Sequence, residues 1–209
     1  MPYLVFDTET TGLYNFKIPS HAPSQPWVIQ LAARVYSDKD EVLDELLLYV
    51  FPPEGVKIGE EAINVHGITE DVIRENDGVS QEDMLDRFKA LVDQTDYIVG
   101  YNTPFDMGLI EAAAKRTDFE KYGNIFGDRE TYCVMRALTG VLQIPPFRYG
   151  TWKWPRLEEA VPRCLGREHE GAHDAMVDVQ GTAELFRYCM MLEQLNKREP
   201  DVKKHFQLR

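Results

Sequence analysis

Asp7 and Glu9 stand one residue apart in "DTETTG", residues 7–12, directly after the apolar run "YLVF". On a strand, residues i and i+2 share a face, so the two carboxylates project side by side where the strand ends. Burying one unpaired carboxylate is costly, and two together cost more because each opposes the other's ionisation. Either this strand end is open to water or a cation belongs beside it. Two more segments carry acids in comparable settings. In "GYNTPFDMGLI", Asp106 falls in the first turn of an expected helix with Thr103 as N-cap and Pro104 at its first position. The helix dipole alone would favour a carboxylate there, but this helix start also follows a short buried strand. In "GAHDAMVDVQ", His173 and Asp178 are five residues apart, which on one helix sets them about 140° apart. His173 is therefore expected on the preceding loop, with Asp174 as N-cap. Asp178 then lies a turn into the helix, beside the apolar Met176 and Val179. An acid so placed needs a partner, whether an arginine or something outside the chain.

The elements that must position these groups can be read from hydrophobic pattern. "YLVF" and "YIVGYN" (97–102) are short apolar runs of the kind buried on both faces of a sheet. "VIQLAARVYS" (28–37) and "EVLDELLLYV" (41–50) read as a hairpin around "DKD". Between them and the first strand, "FKIPSHAPSQPW" (16–27) has three prolines and no period, so it is an extended loop. "IGEEAINVHGITEDVIRE" holds two short helices broken at Gly67, the second capped by Thr69. Ser80 caps a further helix whose Met84, Leu85, Phe88, Leu91 and Val92 form one buried face. Helices are expected over 103–116, near 130–140, over 155–161 and from about 174 to 195, the last with a stripe of Met176, Val179, Ala183, Phe186 and Met190. Strands followed by helices alternating with a further strand give a three-layer α/β/α architecture. No linker divides it, so residues 1–195 are expected to form one domain and 196–209 a charged tail.

Composition narrows the function classes. With 44% hydrophobic and 28% charged residues over 209 positions, the chain is an ordinary globular one. Its net charge of −12 argues against coating nucleic acid by bulk attraction. It leaves room for an enzyme that holds a few nucleotides in one site. Cys133, Cys164 and Cys189 fit neither a zinc pattern nor a disulfide framework, so a reducing cytoplasm is expected. Asp7 interrupts the opening apolar stretch, so no signal peptide is expected, and no apolar run is long enough for a membrane helix.

The order and spacing of the three acidic segments resemble the DEDDh group of the DnaQ-like 3′→5′ exonucleases, whose name records four carboxylates and a histidine. "IQLAA" at 29–33 and "INVHGIT" at 63–69 add to the likeness. The long proline-rich loop is reminiscent of phage or prophage members. The resemblance implies an RNase H-like fold with a central mixed five-stranded sheet. It implies that Asp7, Glu9, Asp106 and Asp178 hold two divalent cations, Mg²⁺ or Mn²⁺, and that His173 is the general base. Elementary chemistry agrees. Oxygen-only donors suit hard cations, two of them neutralise attacking and leaving oxygens of a phosphodiester, and an imidazole titrates near neutrality. By the same resemblance Thr10, Thr11 and Gly12 contact the 3′-terminal nucleotide. Leu13 wedges against its base, Ile63 and His66 wall the pocket, and Asn102 joins them from the middle motif.

One stretch stands apart. "FRYGTWKWPR", 147–156, alternates aromatics with cations in an otherwise acidic chain, a composition that grips single strands without sequence preference. Arg148 and Lys153 are expected to contact nucleic acid, with Trp152 and Trp154 packed inward. The implied activity is release of nucleoside 5′-monophosphates from single-stranded or frayed DNA ends. An exoribonuclease of the same family and a non-catalytic binding module are the alternatives. A DNA polymerase partner and a monomeric or dimeric state are left open.

Overall fold

The computed structural model describes residues 1–146, 148, 150–171 and 174–198. In chain order the elements are β1 (Tyr3–Thr10), β2 (Val28–Tyr36), β3 (Val42–Tyr49), α1 (Glu60–His66), α2 (Glu70–Glu75), α3 (Gln81–Val92), β4 (Tyr97–Gly100), α4 (Thr103–Thr117), α5 (Phe119–Tyr122), β5 (Glu130–Cys133), α6 (Val134–Leu142), α7 (Leu157–Leu165) and α8 (Ala175–Arg198). The five strands form one mixed sheet in the order β3-β2-β1-β4-β5. β1 pairs antiparallel with β2 and parallel with β4, so the expected five-stranded α/β/α architecture is the one observed.

Alternation along β1 divides the interior. Leu4 and Phe6 join a core with Leu31, Ala33, Leu85, Phe88, Leu109 and Ile110, under α3 and α4. Tyr3 and Val5 join a second core on the other face, with Val99, Leu138, Val161, Val179 and Phe186, under α6, α7 and α8. A strand buried on both faces must be apolar at every position, which is why "YLVF" is continuous. β4 pairs with β1 only from Tyr3↔Tyr97 to Val5↔Val99. Residues 7–10 therefore run on past the end of β4, opening a crevice at the carboxyl ends of two parallel strands.

The caps expected at Thr69 and Ser80 are present: their hydroxyls accept from Val72 and Asp83 amides. Three local expectations are corrected. The segment near 130 is not all helix, because Glu130–Cys133 pairs parallel with β4 before α6 begins. The N-cap of α4 is Asn102, not Thr103; the Thr103 hydroxyl instead donates to the Tyr132 carbonyl at 2.6 Å, tying α4 to β5. The buried centre of α8 is Ala175, Val179, Ala183, Leu185, Phe186 and Cys189, with Met176 and Met190 half-buried at its margin. Helix α8 also runs past 195 to Arg198, and the rest of the expected tail lies outside the described residues.

The proline-rich loop is pinned rather than loose. Arg116 of α4 donates to the Gln25 and Pro26 carbonyls at 2.7 and 2.6 Å and stacks 3.7 Å from the Trp27 ring centroid. Gln25, almost fully buried, bonds the Asn15 backbone in both directions. Tyr14 packs over Gly108, where a Cβ would come within 3.2 Å of its ring. Among the described residues no helix is long and apolar enough to cross a membrane.

Candidate active site

The alternation of β1 decides where each group points. Asp7 and Glu9 continue the Tyr3–Val5 face toward α8, and Thr8 continues the Leu4–Phe6 face toward α4. Asp178 comes up from the first turn of α8 to meet the pair. Asp7, Glu9 and Asp178 each bring an oxygen to within 4.8 Å of the others. Asp106, 4% exposed, approaches from α4 and accepts a 2.8 Å hydrogen bond from the Thr8 hydroxyl. Asp178 is also buried, at 8% exposure. Its helix start is set as expected: the Asp174 carboxylate accepts from the Met176 and Val177 amides at 3.0 and 3.3 Å.

The electrostatics follow from this crowding. Burial, then the charges of Asp106, Asp178 and Glu9, hold the Asp7 carboxyl far above its ordinary range. Burial and the neighbouring acids push Glu9 up to about 8. Burial pushes Asp106 up to about 7, although hydrogen bonds from Thr8 pull the other way. Among the described residues no lysine or arginine pairs with Asp7, Glu9 or Asp106, and Asp178 meets Nε2 of His169 at 2.6 Å. Acids gathered this closely without basic partners fit positive charge from outside the chain, and the all-oxygen donor set fits hard divalent cations.

These carboxylates line a cleft of about 540 Å³ together with Tyr101, Asn102, Phe105, Trp154, Arg156 and His169. A second, largely apolar pocket of about 680 Å³ shares Thr8, Glu9, Val65 and Phe105 with it. Its other walls include Thr10, Thr11, Gly12, Leu13, Gly59, Ala62 and His66. Thr11 fastens the floor, donating from its amide to the Trp27 carbonyl and accepting from the Trp27 amide on its hydroxyl. Gly59 donates to the Thr11 carbonyl at 3.1 Å, and a Cβ there would crowd the same oxygen. His66 accepts from the Ile68 amide on Nδ1, which leaves the proton on Nε2, facing the Thr10 carbonyl at 3.2 Å. Leu13, 86% exposed, stands at the rim.

The placement of the expected site residues is uneven. Asp7, Glu9, Asp106 and Asp178 converge, and Asn102 lies beside them. Thr10, Thr11, Gly12, Leu13 and His66 share one pocket, whereas Ile63 is not among its lining residues. Ala62, Val65 and His66 occupy one helical face there, which Ile63 only borders. His173 lies outside the described residues. In the cationic stretch the expectation overturned is the inward packing of Trp154. Arg148 is exposed and its backbone bridges to Thr151, and Lys153 donates to both carboxylate oxygens of Glu159, at 2.6 and 2.8 Å. Trp154, expected inside, is 55% exposed and lines the cleft with Arg156. The buried Tyr101 hydroxyl holds this segment by donating to the Pro155 carbonyl at 2.8 Å. Thr8 and His169 were not singled out from sequence, although Thr8 was visible as the opposite-face residue between the two acids.

The family model described as Exonuclease, of RNase T type, matches residues 4–186. The chain belongs to this exonuclease family. Its DnaQ-like, RNase H-like membership is therefore as the three motifs implied. Similar curated proteins are the DNA polymerase III PolC-type of Listeria welshimeri, 29% identical over 88% of this chain and 11% of that protein, and that of Staphylococcus epidermidis, 29% identical over 99% and 12%. The chain thus spans about a tenth of these relatives. Among solved structures, E. coli exonuclease I in complex with a dT13 oligonucleotide superimposes with a TM-score of 0.69 at 21% identity, covering 98% of this chain and 43% of that one. At that identity the likeness speaks for the fold.

Proposed function

We propose that this exonuclease is of DEDDh type and works 3′→5′, releasing nucleoside 5′-monophosphates from single-stranded or frayed DNA ends. The observation that carries the reading is the convergence of Asp7, Glu9, Asp106 and Asp178 from three elements, without lysine or arginine partners for the first three among the described residues, on a cleft that opens into the Thr10–Leu13 pocket. The four carboxylates would hold two divalent cations, Mg²⁺ or Mn²⁺. Bound there, such ions neutralise phosphate charge and supply a nucleophile at neutral pH. The chain's own residues do the rest. Thr8 fixes the Asp106 carboxylate by its hydroxyl. The apolar pocket takes the terminal nucleoside, with Leu13 and Val65 against the base and the backbone of Thr10–Gly12 along the sugar. His173, by its place in the motif, takes the proton of the attacking water. DNA as substrate is supported by the polymerase names of the relatives and by the oligonucleotide bound to exonuclease I, and the same names support a polymerase partner.

The test is digestion of DNA and RNA oligonucleotides, labelled at either end, with Mg²⁺ or Mn²⁺ and with EDTA. Cation-dependent, stepwise shortening of 5′-labelled DNA with immediate loss of a 3′ label is expected, and Asp7→Asn abolishes it. Release from the 5′ end, or activity that survives EDTA, overturns the proposal; preference for RNA overturns its substrate.

A further inference from the structure

His169 reaches the acidic cleft from a part of the chain outside the three acidic motifs. It follows α7 on a loop bracketed by Gly166 and Gly171, both with φ in the left-handed region. Its side chain is 1% exposed, and Nε2 lies 2.6 Å from Oδ1 of Asp178. The ring lies against Gly181, one turn further along α8. A Cβ at Gly181 would stand 3.0 Å from Cε1 and 3.4 Å from Nδ1 of that ring, so the glycine is a notch cut for it. Nδ1 is buried with no hydrogen-bond partner among the described residues. The bond to Asp178 is therefore the directional contact that orients the ring. An ionised carboxylate only accepts, so the proton of this contact lies on Nε2.

From this geometry we infer that His169 is a positioning residue for the cation site: it donates to one oxygen of Asp178 and thereby turns the other toward Asp7 and Glu9. A carboxylate has two oxygens and a free rotation about its last bond. A donor seated in a glycine notch and bonded to one of those oxygens restricts that rotation. Hydrogen bonds behind ligating groups of this kind contribute about 10–100-fold in metal affinity or activity. The role rests on the cation-binding reading above.

The readout is Mn²⁺ affinity of the free protein, followed by electron paramagnetic resonance, with turnover measured beside it. Wild type and Asp7→Asn frame the experiment. If wild type binds no Mn²⁺, or D7N binds as wild type does, the cation reading itself falls and this role with it. With that frame in place, His169→Leu keeps the apolar volume and removes the donor, and Mn²⁺ affinity is expected to fall about 10–100-fold. His169→Gln restores an N–H donor and should recover most of the loss. A purely packing role predicts the reverse, with Leu tolerated and Gln harmful. Gly181→Ala pushes the ring off its notch and should weaken Mn²⁺ as H169L does, while the double variant is no worse than either single one. Wild-type Mn²⁺ affinity in H169L, or additive losses in the double variant, overturns the inference. Should H169L not fold, H169Q and G181A decide it between them.

Discussion

Replacing Glu9 by Gln should make the cation-free protein more stable, although it removes an acid from the active site. Glu9 is pushed from 4.5 up to about 8 by burial and by Asp178, Asp106 and Asp174. At 1.36 kcal/mol per unit, ionising it in the folded chain costs about 5 kcal/mol more than in the unfolded one. Water entering the open cleft screens part of this, leaving about 2–3 kcal/mol. The direction with pH is fixed. Below 4.5 Glu9 carries its proton in both states, and the substitution gains nothing. As pH rises, the unfolded chain loses that proton first, so wild type is progressively destabilised until the folded carboxyl has ionised near 8. Gln never ionises, so the gap opens between these two values and is full above the second. For a chain of this length it amounts to roughly 4–12 °C in Tm. Thermal melts in EDTA across this range measure it directly. Adding Mg²⁺ or Mn²⁺ should then close or reverse the gap, since a ligand at 100 times its Kd adds about 2.7 kcal/mol to the form that binds it, and E9Q has exchanged a charged ligand for a neutral one. If E9Q melts at or below wild type in EDTA at about pH 8.5, the carboxylates are not opposing one another and the electrostatic argument fails.

Thr8→Val keeps the shape of the side chain but removes the donor to Asp106. Above about pH 7, where Asp106 is ionised, urea unfolding should show a loss of about 1.5–3 kcal/mol, with Thr8→Ser close to wild type; an unchanged midpoint in T8V would show that the bond contributes nothing. Trp154→Ala should weaken single-stranded oligonucleotide binding about 5–150-fold, the equivalent of one lost stacking contact. The loss should appear in KM more than in kcat, whereas Lys153→Ala, which breaks the Glu159 pair, should have the smaller effect on KM. Equal effects from the two would return Trp154 to a packing role.

Much of this molecule is written in short-range pattern. Two acids at i and i+2 after an apolar run must share a strand face, and they do. Thr69, Ser80 and Asp174 cap helices because their side chains accept from amides two or three residues on, an interaction that needs no distant partner. The acidic motifs could therefore be picked out before any fold was known. What local pattern could not supply is the side of the sheet from which each partner arrives. Four residues of β5 running straight into α6 carry no turn signal, and only pairing with β4 makes them a strand. Lys153 and Trp154 are neighbours of opposite fate because Tyr101 holds Pro155 by its carbonyl and Glu159 captures the lysine. His169, a lone histidine in "GREHEG", has no periodicity to mark it. Its place is made by a loop that folds back onto a glycine on another helix. The sequence by itself determined which residues carry the acids and which helices and strands hold them. The tertiary structure decided that the acids face one another without lysine or arginine partners for Asp7, Glu9 and Asp106 among the described residues, because only long-range packing sets whether a buried charge meets another charge, a hydroxyl or an open cleft.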